Sequence, residues 1–81
     1  MDNMEVVNTA NTSPALTTLI DEVNTNLTYI GMGKIGSLES DPSWQIRRIQ
    51  KTSSVTRIQY ADGNRRFDNV WDDRASLTYS D

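Results

Sequence analysis

The spacing of apolar residues changes along this chain and divides it into three stretches. Residues 1–13 are polar, with no sustained apolar period, which predicts a flexible or extended arm. In residues 14–28 the apolar positions follow helical spacing, i, i+3, i+4, i+7 and i+11. They are Leu16, Leu19, Ile20, Val23 and Leu27. Ser13 and Pro14 suit an N-cap and a first helical position. We therefore predict a short amphipathic helix that packs on its own sheet or joins the chain to other subunits.

Residues 29–81 contain short strand-like runs separated by polar turns. The clearest turn is Asp62-Gly63, between residues 58–61 and 65–67, and this pattern is typical of a β-hairpin. Glycines at 31, 33 and 36 interrupt one strand-like run, which indicates a bulge or a close approach by another backbone. The predicted fold is mainly β: a small antiparallel meander of four to five strands, preceded by the helix and the arm.

Large apolar side chains in residues 44–79 predict the core of this sheet. The predicted core anchors are Trp44, Ile46, Ile58, Tyr60, Phe67, Trp71, Leu77 and Tyr79. Each tryptophan N–H should find a carbonyl or carboxylate partner. Ile49 has the opposite parity to Trp44 and Ile46, so either both sheet faces are partly covered or a bulge reverses the side chains.

Composition indicates that the core is small. Hydrophobic residues make up 36% of the 81 positions, while nine Thr, eight Ser and seven Asn fill many of the others. At this size, burial of apolar surface and loss of chain entropy nearly cancel. The chain has no Cys and no His, which excludes disulfides and the common zinc sites. Oligomerisation is the remaining usual source of stability, so we predict a homo-oligomer or a component of a larger assembly.

The same absences argue against an enzyme. Without His or Cys, the usual nucleophile–base pairs are unavailable, and a sheet of this size offers no deep cleft for a carboxylate pair. A group of acids at Asp62, Asp68, Asp72 and Asp73 lacks the ligand ladder of a calcium loop. Turn formation and pairing with Arg74 explain it better. We predict no catalytic residue, no metal and no cofactor.

The sequence has no apolar run of membrane-spanning length and no basic segment of a secretory signal at its start.

Charge is distributed unevenly. Residues 1–42 carry six acids and one base, whereas residues 43–81 carry five acids and seven bases. The acidic front of one subunit could therefore meet the basic back of a neighbour. Arginines on the predicted strands, among them Arg47, Arg48 and Arg57, could bind single-stranded nucleic acid. The net charge of −3 disfavours that alternative.

Residues 29–80 resemble small proteins encoded in tailed-bacteriophage genomes, among the structural genes for virion and tail parts. The quoted stretches are Tyr-Ile-Gly at 29–31, Trp-Gln-Ile-Arg-Arg-Ile at 44–49, Tyr-Ala-Asp-Gly at 60–63 and Phe-Asp-Asn-Val-Trp-Asp-Asp-Arg-Ala-Ser-Leu-Thr-Tyr at 67–79. The resemblance implies a non-enzymatic virion protein, associated with the tail, fibre or baseplate. Capsid decoration is one alternative. Another is a nucleic-acid-binding or host-factor-binding protein that is not packaged. The implied partners are other virion proteins, with assembly in the bacterial cytoplasm.

Overall fold

A computed structural model describes residues 15–80, which form one antiparallel sheet and a 3₁₀ helix. The strands are β1 (Leu16–Asn24), β2 (Leu27–Lys34), β3 (Pro42–Thr52), β4 (Val55–Ala61), β5 (Asn69–Val70) and β6 (Tyr79–Ser80), and the 3₁₀ helix is Trp71–Ser76. The prediction of a mainly β antiparallel meander is confirmed. The predicted arm at residues 1–13 lies outside the described residues.

The strands lie in the order β1-β2-β3-β4-β6, and β5 pairs with β3. Two strands pair with the same edge of the long strand β3, the edge opposite β2. The first residues of β3 pair with β5, and residues 47–52 pair with β4. The chain therefore folds as consecutive hairpins from β1 to β4. Its C-terminal part then returns to both β3 and β4.

The predicted helix at residues 14–28 is wrong over the part that the structure describes. Leu16–Asn24 is strand β1, and Leu27 begins β2. Thr and Asn, which are poor helix formers, occupy much of the segment, and Thr favours strands. Pairing of β1 with β2 along its length satisfies the backbone groups that a marginal helix would have bonded internally. Tertiary pairing thus overrides the helical spacing.

The predicted turn at Asp62-Gly63 exists, but the hairpin that it was expected to close does not. Both residues have positive φ, 60° and 70°, as a type I′ turn requires. The following residues 65–68 are not a strand. The partner of β4 is instead β6, with Ala61 opposite Tyr79. The residues of the turn, Asp62 and Gly63, are sufficient to determine its conformation. The packing of residues 71–79, by contrast, determines which strand pairs with β4.

One sheet face, here called the packed face, holds the core. Its buried residues are Tyr29, Trp44, Ile46, Ala61 and Trp71, with Leu19, Leu27, Leu77 and Tyr79 packed against them. The side chain of Trp71 reaches the face from the start of the 3₁₀ helix. Trp44 donates its indole N–H to the carbonyl oxygen of Leu38 at 2.8 Å. This bond satisfies the polar atom of a residue that is otherwise fully buried.

Two glycines of β2 make room for these indoles. A Cβ at Gly31 would lie 2.5 Å from Cε3 of Trp71, and a Cβ at Gly33 would lie 2.8 Å from Cε3 of Trp44. Both distances are shorter than any ordinary carbon–carbon contact. The glycine-containing run predicted from the sequence is therefore strand β2, and two aromatic rings pack on its glycines.

Three predicted core anchors are outside this core. Ile58 is 54% exposed, Phe67 is 44% exposed, and Tyr60 is half-buried. The β3–β4 register places Ile58 opposite Ile49 and Tyr60 opposite Arg47, on the sheet face that points away from Trp44. Phe67 lies in the loop before β5. Hydrophobicity alone marked these residues as core, and it does not distinguish the two faces of a sheet.

We expect Gly31→Ala to lower the free energy of unfolding by about 1–3 kcal/mol, because the added methyl group overlaps the Trp71 ring. Urea denaturation followed by tryptophan fluorescence measures this change. Ala15→Val is the control: it adds bulk at an exposed position and should change stability by less than about 0.5 kcal/mol. Equal unfolding midpoints for Gly31→Ala and the unaltered chain would contradict this packing.

Candidate binding surface

Residues 71–79, the C-terminal segment, form the second layer over the packed face. The Trp71 ring lies 6.3 Å from the Trp44 ring at an interplanar angle of 46°. The backbone N–H of Asp72 donates to the carbonyl oxygen of Glu39 at 3.1 Å. The segment therefore contacts β3 through its rings and the β2–β3 loop through its backbone.

Arg74 attaches this segment to the far edge of the sheet. Its Nε–H donates to Oδ2 of Asp21 in β1 at 3.0 Å, and an Nη1–H donates to the carbonyl oxygen of Trp71 at 3.1 Å. Its guanidinium carbon lies 4.6 Å from the centre of the Trp71 ring. From the sequence we expected Arg74 to pair with the neighbouring acids. The observed carboxylate is 53 positions away, and only the tertiary fold brings it near.

Tyr79 holds the end of the C-terminal segment against the packed face. Its hydroxyl donates to the carbonyl oxygen of Arg74 at 2.7 Å, and its ring lies 5.8 Å from the ring of Tyr29. The guanidinium of Arg48 stacks on the Tyr79 ring at 4.7 Å. Burial raises the pKa of the Tyr79 phenol well above its usual value, and the nearby Tyr29 adds to the shift. The residues that make the phage resemblance most distinctive are thus used to build the protein body.

The opposite side of the sheet, here called the open face, is not covered by any described residue in the manner of the packed face. Alternation along β1 to β4 places on it the apolar residues Leu16, Ile20, Ile30, Met32, Ile49, Ile58 and Tyr60. Ile20 is 64% exposed. The register of β3 with β2 and β4 runs without interruption past Ile49. The opposite parity of Ile49 therefore reflects a second apolar face rather than a bulge.

Arg47 lies in the middle of the open face, with Ile30 opposite it on one side and Tyr60 on the other. An Nη2–H donates to the thioether sulfur of Met32 at 3.7 Å, which is a weak acceptor. Its Nε is buried and has no hydrogen-bond partner among the described residues. Arg65 stacks over Tyr60 at 5.5 Å. The open face is therefore apolar and cationic together.

The sheet also has unpaired strand edges. Within residues 15–80, β1 pairs only with β2, so the backbone groups along its outer edge have no strand partner. β6 pairs with Tyr60 and Ala61 of β4 and extends no further along that strand in the described sheet. Such edges are able to accept a strand from another chain.

The predicted interaction segment is divided by this geometry. Leu19 and Leu27 pack against the core. Leu16, 44% exposed, and Ile20 lie on the open face, whereas Val23, 49% exposed, lies at the register shift between Glu22 and Asn24. The five residues do not form one surface, because side chains in a strand alternate between faces.

The other candidate groups form no common site. No cluster of three or more potential metal ligands occurs among the described residues. Asp62 lies in its turn, and Asp68 accepts a hydrogen bond from Asn69 at 3.3 Å. The arginines divide between the two faces. Arg48 packs on Tyr79, whereas Arg47 and Arg65 lie on the open face.

The sequence did not indicate that Ile30 and Met32 belong to a surface, or that Arg47, a candidate for nucleic-acid binding, lies between them and Tyr60. The opposite parity of Ile49 was the one sequence feature that indicated a second apolar face.

No family model matches this chain, no curated protein matches it, and no solved structure matches it. None of the helical residues between positions 15 and 80 belongs to a helix with the length and apolar character needed to cross a membrane.

We expect the protein to lose stability as the pH rises above about 10, because an unfolded tyrosine begins to lose its proton there while the buried Tyr79 retains it. The unfolded state then binds fewer protons than the folded state, so the free energy of unfolding falls with rising pH. Tyr79→Phe should be less stable at pH 7 by about 1 kcal/mol through its lost hydrogen bond. It should nevertheless decline less steeply in alkali. Urea denaturation from pH 7 to pH 11 measures both effects, and parallel declines would contradict the assignment.

Proposed function

We propose that this protein is a non-enzymatic structural subunit of a tailed-phage particle, associated with the tail, fibre or baseplate, and that it assembles through the open face and its strand edges. Capsid decoration is the alternative position within the particle. The resemblance of residues 29–80 to phage virion proteins supports the setting. The exposed apolar residues of the open face support assembly, and they are the observation that carries the proposal.

A sheet with two apolar faces gains stability when both faces are covered, since each then buries its side chains against a second layer. Here the C-terminal segment covers one face alone. On the other, Ile20 and Ile58 remain more than half exposed at 64% and 54%. Burying one such side chain contributes about 1.5–3 kcal/mol. Association over this face therefore provides stability that the small core lacks.

The unpaired edge of β1 offers a second mode of association. Leu16, Ile20 and Val23 are exposed along it, and its backbone groups can extend the sheet into a neighbouring chain. Repeated subunits of a particle use contacts of this kind because each copy presents the same edge and the same face.

We expect Ile20→Glu to weaken self-association about tenfold or more while leaving the fold intact, since a charge replaces an exposed side chain that assembly buries. Sedimentation equilibrium over a concentration series measures the dissociation constant. Leu38→Glu is the matched control: Leu38 is 65% exposed but lies in the β2–β3 loop. We expect no effect from it.

A chain that stays monomeric at every concentration would end the assembly proposal. Mass spectrometry of purified particles from the encoding phage tests the setting separately. Detection in the particle at a constant copy number supports a virion subunit. Its absence from the particle favours a nucleic-acid-binding or host-factor-binding protein that is never packaged.

A further inference from the structure

The open face carries an excess of positive charge. Register and alternation place Lys34, Arg47 and Lys51 on it, and Arg65 stacks over its Tyr60. Its one acid on these strands is Glu22. A partner for this surface therefore needs apolar side chains together with carboxylates.

A second open face does not meet that requirement. Two such faces packed together would bring Arg47, Lys51 and their copies into a layer from which water is excluded. Like charges that are buried close together disfavour association strongly. Face-to-face pairing of two sheets is therefore a poor solution for this surface.

Residues 1–14 of the chain have the complementary chemistry. They contain two acids, Asp2 and Glu5, and no Lys or Arg. They also contain the apolar residues Met1, Met4, Val6, Val7 and Ala10. Fourteen residues reach about 46 Å when extended. The distance from β1 to β4 is about 14 Å, with strands about 4.8 Å apart. The segment is long enough to cross the whole open face.

The first described residue, Ala15, lies in line with strand β1. The backbone N–H of Ile35 donates to the carbonyl oxygen of Ala15 at 3.3 Å, so residue 15 continues the line of β1 beyond the end of the strand. Ser13 precedes Pro14, and a residue before proline favours an extended backbone. To cover the open face of its own sheet, the segment would have to turn back over β1, whereas reaching a neighbour requires no such turn.

We propose that residues 1–14 of a neighbouring copy cover the open face, with their apolar side chains on its isoleucines and with Asp2 and Glu5 facing Arg47 and Lys51. This inference rests on the proposed function, since it names the contact by which copies assemble. The carboxylates supply acceptors to a guanidinium that has only a thioether acceptor among residues 15–80.

A charge exchange in the full chain tests the pairing. Asp2→Lys/Glu5→Lys reverses the charges of the segment, and Arg47→Glu/Lys51→Glu reverses the two bases that the segment is proposed to face. Each double variant alone should associate about tenfold more weakly than the unaltered protein, because attraction becomes repulsion. An equimolar mixture of the two should associate as tightly as the unaltered protein, since both of its contacts are again between opposite charges.

Two controls separate this pairing from a general effect of net charge. The fourfold variant, which joins both reversals in one chain, keeps the net charge of −3 and should regain self-association. Glu39→Lys/Asp73→Lys changes net charge as much as the reversed segment does, but at exposed positions outside β1–β4. It should associate normally. Circular dichroism of every variant checks that the sheet is retained.

The outcomes distinguish this inference from the proposed function. If Asp2→Lys/Glu5→Lys associates normally while Ile20→Glu does not, the open face assembles with another partner and residues 1–14 are not its occupant. If the unaltered chain is monomeric, the assembly proposal fails. In that case a lower melting temperature of Asp2→Lys/Glu5→Lys would place the segment on its own sheet, which also overturns the neighbouring-copy contact.

Discussion

Two indole rings lying on two glycines hold this structure together. Trp71 and Trp44 occupy the space that a side chain at Gly31 or Gly33 would fill. A short C-terminal segment therefore approaches the sheet closely enough to bury both rings, at 4% and 1% exposure. Contact of this density contributes most of the dispersion and burial energy that so small a core obtains. The Arg74–Asp21 ion pair and the Tyr79 hydroxyl then fix the ends of the segment.

The same arrangement accounts for the candidate binding surface. Among the described residues, the largest buried side chains lie on one side of the sheet, and the C-terminal segment packs on that side. Ile20, Ile58 and Tyr60 are left on a face that also carries Arg47. Exposed isoleucines around cationic groups are unfavourable in water for a free monomer. The same surface binds specifically to a partner that is both acidic and apolar. Fold and assembly are thus linked, because residues 71–79 cover one face of the sheet and leave Ile20 and Ile58 exposed on the other.

Parts of the fold and of the surface were predictable from the sequence. Polar turns between strand-like runs indicate the hairpins, and Asp62-Gly63 marks a turn that exists. The helical spacing of Leu16, Leu19 and Ile20 misled, because backbone pairing with β2 outweighs a weak helical preference. Ile58 and Phe67 were assigned to the core because they are hydrophobic, but hydrophobicity does not show which face of the sheet a side chain lies on. The open face itself was visible only through the parity of Ile49.

By itself, then, the sequence determined the class of the protein: a small antiparallel sheet with few apolar residues and no His or Cys chemistry. Those features follow from composition and from the short range of turn and strand preferences. Tertiary structure decided the partner of β4, the carboxylate of Arg74, the use of Gly31 and Gly33, and which isoleucines are left exposed. Each of these depends on residues that are distant along the chain, and no local pattern encodes which side of a sheet another segment will cover.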